Sequence, residues 1–297
     1  MNIGLAKGRG KWHKHLMNYR HAYHAGNHAD VLKHIVLSRL IQHLKKKDKP
    51  FRVVDAHAGI GLYRLDSEEA LKTQEWQSGI GRLYSQAGGR LPLDSRVEAL
   101  LAPFRQVVEA VNREGGLTHY PGSPEFARRL MRADDALALN ELHPEDFATL
   151  AQVFRQDNRV ALTKQDVAVA MKSLLPPPER RGLVLIDPPY EVTDEVERLA
   201  AYLQEGLRRF ATGIYAIWYP ITGDGLNEKL SKVLRAMGVE ILQAELRVRR
   251  EREDGGLTGS GLFILNPPWK LDAELSEILP PLAERLAQGK GAEARLA

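Results

Sequence analysis

The chain contains no cysteine in 297 residues, which excludes disulfides, thiolate metal ligands and a cysteine nucleophile. It has no apolar run long enough to cross a bilayer. Its N-terminus lacks an apolar signal core, so neither membrane insertion nor export is expected, and the cytoplasm is the expected location. Charge of one sign is in small excess: 42 Lys and Arg against 38 Asp and Glu give a net +4. With a pI of 9.2, that is a weak pointer to a polyanionic partner. What is present is a globular composition, 43% hydrophobic and 27% charged. It suffices for one large domain, or for one domain carrying an insertion.

Residues 1–16 carry Lys7, Arg9, Lys11 and Lys14 among glycines without periodicity, and read as a flexible basic extension. From His28 to Lys47, Val31, Leu32, Ile35, Val36, Leu40, Ile41 and Leu44 recur at helical spacing. They predict one long amphipathic helix, ended by Asp48-Lys49-Pro50. Strand-like runs follow at 51–55, 136–142, 160–163, 183–186 and 213–218, with helical stretches at 143–156, 167–174, 193–209 and 223–237. Such alternation predicts an α/β fold with a mostly parallel, doubly wound sheet. Two more strands, 239–248 and 259–265, have no helix between them and predict a terminal antiparallel hairpin, seven strands in all. Residues 64–120 are helical without a strand and read as an inserted subdomain. The main domain is then 17–63 with 121–288, and 289–297 is a flexible tail. Ser123-Pro124 reads as the N-cap and first position of the helix after the insertion.

The richest motif is Asp187-Pro188-Pro189-Tyr190, directly after the run Leu183-Val184-Leu185-Ile186. Such a tetrad suits methylation of an exocyclic amine. The adenine amine is a poor nucleophile because its lone pair is delocalised into the ring. A carboxylate and a backbone carbonyl can each accept one of its N–H bonds and push the nitrogen toward tetrahedral geometry. Pro188 and Pro189 stiffen the turn, and the Tyr190 ring can stack on the base. A second tetrad, Asn266-Pro267-Pro268-Trp269, also follows an apolar run. Ligands in a doubly wound sheet bind beyond the carboxyl ends of the strands, where strand order reverses. The strand before Asn266 points the other way, so this second tetrad is expected to be a structural turn.

Three further features fall at successive strand ends. The loop Asp55-Ala56-His57-Ala58-Gly59-Ile60-Gly61 follows the first strand and allows close backbone approach to a ligand. Glu141 follows the second, where an acid can accept from both hydroxyls of a nucleotide ribose. Asp166 follows the third and can accept from an adenine amine. His13, His15, His21, His24, His28 and His34 crowd the front of the chain, but no carboxylate set shares their turn, so no metal site is expected. Between residues 19 and 33, Tyr19, Arg20, His21, Tyr23, His24, His28 and Lys33 form an aromatic and cationic mix suited to bases and phosphates. That stretch is expected to close over the cleft.

With these motifs read, and with Tyr120-Pro121-Gly122-Ser123-Pro124, Glu141-Leu142-His143-Pro144 and Gly213-Ile214-Tyr215-Ala216, residues 17 to about 280 resemble the bacterial 23S ribosomal RNA adenine-N(6) methyltransferase J family. The resemblance implies a class I, Rossmann-like, S-adenosylmethionine-dependent methyltransferase, monomeric, that modifies the adenine at position 2030 of free 23S ribosomal RNA. It implies cofactor contacts by His34, His57, Gly59, Ser123, Glu141, Asp166, Val167 and Asp187. Asp187 would be catalytic, with Tyr19 and Lys33 toward RNA. Val167 departs from the glycine frequent in the family. A DNA adenine or protein glutamine methyltransferase would use the same tetrad, and a non-enzymatic RNA-binding protein also stays open.

Overall fold

The computed structural model describes residues 20–190, 194–250 and 256–297. Tyr19, Thr193 and the basic extension lie outside them. A short 3-10 turn, His21–Tyr23, leads into α1 (His28–Lys45), and β1 (Arg52–Asp55) opens the main sheet. The insertion runs from β2 (Leu62–Arg64) through α2 (Glu68–Thr73), α3 (Glu75–Ser78) and α4 (Ser95–Val111) to β3 (His119–Pro121). Helix and strand then alternate through α5 (Ser123–Leu130), β4 (Ala136–Asn140), α6 (Pro144–Phe154), β5 (Val160–Thr163), α7 (Val167–Leu174) and β6 (Gly182–Ile186). The chain continues through α8 (Glu195–Arg209), β7 (Ile214–Ile221), α9 (Leu226–Arg235), β8 (Ile241–Arg247), β9 (Gly259–Leu265), α10 (Leu271–Arg285) and β10 (Glu293–Leu296).

The main sheet has the order β10-β8-β9-β7-β6-β1-β4-β5. Its pairs β1 with β4, β1 with β6, β4 with β5, and β6 with β7 are parallel. β9 is antiparallel to both β7 and β8, which gives the expected terminal hairpin. The chain leaves β1 for β4 on one side and returns to β6 on the other, so strand order reverses at β1. The carboxyl ends of β1 and β6 therefore meet at one cleft.

Four expectations need correcting. The tail is not free of structure: Glu293–Leu296 form an eighth strand, antiparallel to β8. The insertion is helical but includes a ribbon, β2 with β3, that closes its base at Tyr63 and Tyr120. Its core side chains, Leu101, Phe104 and Val108 among them, join one hydrophobic cluster with Val53 and Leu137 of the sheet. Ser123 does not cap α5; Gly122 occupies that position without a side-chain bond, and Ser123 is the first helical residue.

The fourth concerns α1, which is buried on nearly every face rather than along one stripe. It packs on α4 and α5 on one side and on β9 on the other, so Lys33, His34, Arg39 and His43 are enclosed with the apolar residues. Asn27 starts this helix by accepting from the backbone N–H groups of Ala29 and Asp30, which are otherwise orphan donors. Among the described residues no helix is long and apolar enough to cross a membrane.

Candidate active site

The turn after β1 carries Gly59 at φ 60° and Gly61 at φ 81°, backbone that a side chain would strain. Asp55 closes β1 with its carboxylate buried; one oxygen accepts the His57 N–H at 3.2 Å. Burial pushes this carboxyl up to about 6, with the Ser123 hydroxyl and the His57 N–H pulling the other way. His57 is itself pulled down to about 4 by burial.

Glu141 follows β4 and reaches back to that turn. Its carboxylate accepts the Gly59 N–H and the His143 N–H, both at 2.8 Å. Burial raises its proton affinity, and those two N–H groups oppose the rise. Asn140, one residue earlier, holds three loops together. Its amide donates to the carbonyls of Ala56 and Gln165, and its oxygen accepts from the Thr163 hydroxyl and the Gln165 N–H. The sequence reading passed over Asn140, although a buried amide at a strand end was its available signal. Asp166 caps α7 through the Ala168 N–H and pairs with Arg198 at 3.3 Å. Val167 opens that helix.

Asp187 follows β6 beside these groups. Its backbone N–H donates to His57 Nδ1 at 3.2 Å, and its Oδ2 meets the Lys33 ammonium at 2.5 Å. Lys33 is buried and also contacts Asp30 at 3.0 Å, so its ammonium faces carboxylates rather than solvent. Pro188 and Pro189 line a cavity of about 190 Å³ together with His21, His24, Lys33 and Trp218. Trp218, midway along β7, carries no functional expectation from the sequence. Tyr190, at φ 51°, donates its hydroxyl to the Trp218 carbonyl at 2.7 Å, and its ring tilts against the indole at 6.2 Å. His34 sits deeper, stacked on Phe126 at 4.7 Å with Nδ1 on the Tyr120 hydroxyl at 2.9 Å. Its Nε2 is buried with no partner among the described residues.

The structure thus joins His57, Asp187 and Lys33 by contacts and ties Gly59, on the same turn as His57, to Glu141, with Ser123 beside Asp55. It places Asp166 at the neighbouring loop and His34 in the core behind. Tyr19 falls outside the described residues. Among those residues no group of His, Asp and Glu is arranged to hold a metal. The second tetrad lies in a turn at the opposite end of the strands from Asp187. Leu265 pairs with Tyr215 at the start of β7, and the Asn266 amide donates to the carbonyls of Ala211 and Gly213 at 2.9 and 2.8 Å.

A parallel sheet with this switch point, antiparallel hairpin and strand-end acids is the Rossmann-like methyltransferase fold. The chain superposes on the crystal structure of a protein from Legionella pneumophila str. Philadelphia 1 with a TM-score of 0.82 at 32% identity, covering 92% of this chain and 98% of that one. A family model described as ribosomal RNA large subunit methyltransferase D, RlmJ, matches residues 48–296, and the chain belongs to that family. Two relatives carry the name ribosomal RNA large subunit methyltransferase J. The one from Escherichia coli K12 is 45% identical over 91% of this chain and 94% of its own length. The one from Haemophilus influenzae is 44% identical over 93% and 96%.

Proposed function

We propose that this protein transfers a methyl group from S-adenosylmethionine to the exocyclic amine of an adenine in 23S ribosomal RNA. The target is the adenine at position 2030, modified in the cytoplasm on free RNA before subunit assembly. The observation that carries this reading is the placement of Asp187-Pro188-Pro189-Tyr190 at the carboxyl end of β6, beside the glycine turn of β1. Family membership supports ribosomal RNA as substrate.

The residues present fit the cofactor. Glu141 is a carboxylate already oriented by two backbone N–H groups, suited to ribose hydroxyls. The left-handed Gly59 and Gly61 let backbone approach a ligand, and Asp166 with Val167 would border an adenine. His57, Ser123 and the deeper His34 would be the remaining contacts. When bound, S-adenosylmethionine supplies an electrophilic methyl on a cationic sulfur.

The chain's own residues do the rest. Lys33 occupies Asp187 Oδ2, which leaves Oδ1 to accept one N–H of the amine. The Pro188 carbonyl takes the other, and Tyr190, fixed by Trp218, packs near the base. Aligning the amine is the main contribution, by proximity and orientation. A carboxylate is far too weak a base to deprotonate the amine beforehand; Asp187 takes a proton that becomes acidic once the methyl has arrived. The adenine must first leave its stack, at a cost of a few kcal/mol that a single-stranded or bulged site lowers.

The test is methyl incorporation into naked 23S RNA fragments and into duplex DNA, by wild type and Asp187→Ala. Transfer to the RNA alone, lost in the variant, is the expected result. Near-normal turnover by Asp187→Ala would overturn the role of Asp187, and a preference for DNA would overturn the substrate.

A further inference from the structure

Lys33 is shared by two carboxylates, and one of them, Asp30, lies in the 19–33 stretch without a role assigned to it from the sequence. Asp30 sits in the first turn of α1 with its side chain buried. Its Oδ1 meets the Lys33 ammonium at 3.0 Å. Its Oδ2 accepts the Gly26 N–H at 2.9 Å and faces His21 Nε2 at 2.9 Å. Burial works against charge on Asp30, yet His21 and Lys33 hold it well below the usual carboxylate range. Burial likewise opposes the Lys33 ammonium, while Asp187 and Asp30 hold it well above the usual lysine range. Two carboxylates and one ammonium thus meet in this cluster, formally one net negative charge among the three groups. Lys33 and Asp187 also act through space on the buried Asp55 carboxyl, in opposite senses.

Lys33 alone would fix Asp187 and also cancel its charge. That cancellation would work against the proposed reaction, because the methylated amine is cationic until it gives up its proton. We infer that Asp30 is a positioning residue for methyl transfer: it neutralises Lys33, so that Lys33 anchors one oxygen of Asp187 while these three groups together keep a formal negative charge. This rests on the reading of Asp187 given above. In the proton step the N–H bond of the methylated amine breaks, its electron pair stays on nitrogen, and the proton forms an O–H bond with Asp187. A cluster of net charge minus one becomes neutral in that step. Without Asp30 a neutral cluster would become cationic, in a buried place where lone charge is costly.

The competing role for Asp30 is scaffolding, as acceptor for Gly26 and as a first-turn acid favoured by the helix N-terminus. Charge and scaffold separate in a set of full-length variants: Asp30→Asn, which retains an acceptor for Gly26, Lys33→Met, and the two combined. The readout is single-turnover methyl transfer to a 23S RNA fragment, with KM for RNA and cofactor measured alongside. Asp30→Asn should slow transfer by about tenfold or more, with KM values moving far less. Lys33→Met leaves two adjacent carboxylates and should also be slow. The double variant returns the cluster to one negative charge, and should run at least about threefold faster than Lys33→Met alone. Losses that multiply in the double variant, or an Asp30→Asn enzyme of normal rate, would overturn the inference. If Asp30→Asn alone does not fold, the comparison of Lys33→Met with the double variant still decides. Asp187→Ala, run in parallel, separates the two readings. Activity there overturns the role of Asp187 itself, whereas an inactive Asp187→Ala with multiplying losses overturns only that of Asp30.

Discussion

The backbone N–H of Asp187 donates to Nδ1 of His57, tying the turn after β6 to the turn after β1, 130 residues earlier. The bond requires a neutral ring with its proton on Nε2, and burial supplies the neutrality by pulling His57 down to about 4. His57→Phe would leave the N–H without an acceptor in a buried turn, a loss of roughly 1–3 kcal/mol. Turnover on saturating RNA should fall by about tenfold or more, and His57→Gln, which can still accept, should recover part of it. Steady-state kinetics on both variants checks this; equal losses would mean that the ring's bulk matters and the bond does not.

The second tetrad provides an internal control. Asn266 holds a left-handed φ of 54° and donates to two carbonyls, so Asn266→Ala should destabilise the fold by roughly 1–3 kcal/mol. At a temperature where it remains folded, it should methylate at close to the wild-type rate. Thermal unfolding and turnover measured together decide; a stable but inactive protein would mean that the wrong tetrad has been assigned.

Glu141→Ala should raise the dissociation constant of S-adenosylmethionine by about tenfold or more, since charge-assisted bonds to the ribose would be lost. Affinity for RNA should stay within about twofold, because no phosphate contact is assigned to Glu141. Calorimetry with the cofactor reads the first and filter binding the second. Unchanged cofactor affinity with lowered stability would reduce Glu141 to a brace between the turns at Gly59 and His143.

At Gly59 the sterics are specific enough for a double-variant test. A Cβ there would collide with the Tyr63 hydroxyl, while the next ring atom lies at 3.5 Å, an ordinary contact. Gly59→Ala should cost about 1–3 kcal/mol, from the left-handed backbone and the clash together. Tyr63→Phe in the same chain should return the steric share and leave about 1 kcal/mol of backbone cost. Denaturant unfolding of the three variants measures this; strictly additive losses would show that the hydroxyl is not the obstacle.

Stability should fall as the pH drops from 7 to 5. Burial pulls His28 and His57 each down to about 4, against about 6.5 for an unfolded histidine. The unfolded chain therefore binds more protons in that window. The stability these rings contribute is complete above the unfolded value and is lost as pH falls toward the folded one. Asp55, raised to about 6, works the other way, its contribution complete below its unfolded value and lost as pH rises through 6. At pH 5 each histidine costs on the order of 2 kcal/mol, and Asp55 returns less than that. Unfolding midpoints across this range should slope upward with pH, and His28→Asn should flatten the slope. A flat wild-type profile would contradict the burial of neutral rings.

Much of the fold was legible because its signals are local. Leu183 to Ile186 reads as a buried strand, and Asp187 follows it directly. Alternation of strand and helix puts β1 beside β6 and so Asp187 beside the glycine turn, while the antiparallel last strand carries Asn266 to the other end of the sheet. The rest depended on tertiary context. Asp30 looks like an ordinary first-turn acid, and its pairing with Lys33 matters only because α1 is enclosed and brings Lys33 to Asp187. The helix reads as amphipathic, yet its polar Arg39 and His43 are enclosed and both pair with Glu274 of α10. α10 is hard to see in the sequence because Pro280 and Pro281 lie inside it, and proline disfavours a helix interior. The final strand, Glu293-Ala294-Arg295-Leu296, is too short and too charged to stand out, and it forms because the edge of β8 offers it a partner.

Because α1 is walled in on almost all sides, a saturation mutagenesis screen scored by growth would return a band of intolerance from residue 28 to residue 44, broken at Gln42. Within that band Lys33 and Asp30, which serve Asp187, would be indistinguishable from Leu32 and Ile35, which only fill space. Cooling the screen would separate them. Losses from packing shrink when folding has margin to spare, whereas a misplaced charge at the reacting centre stays misplaced at any temperature.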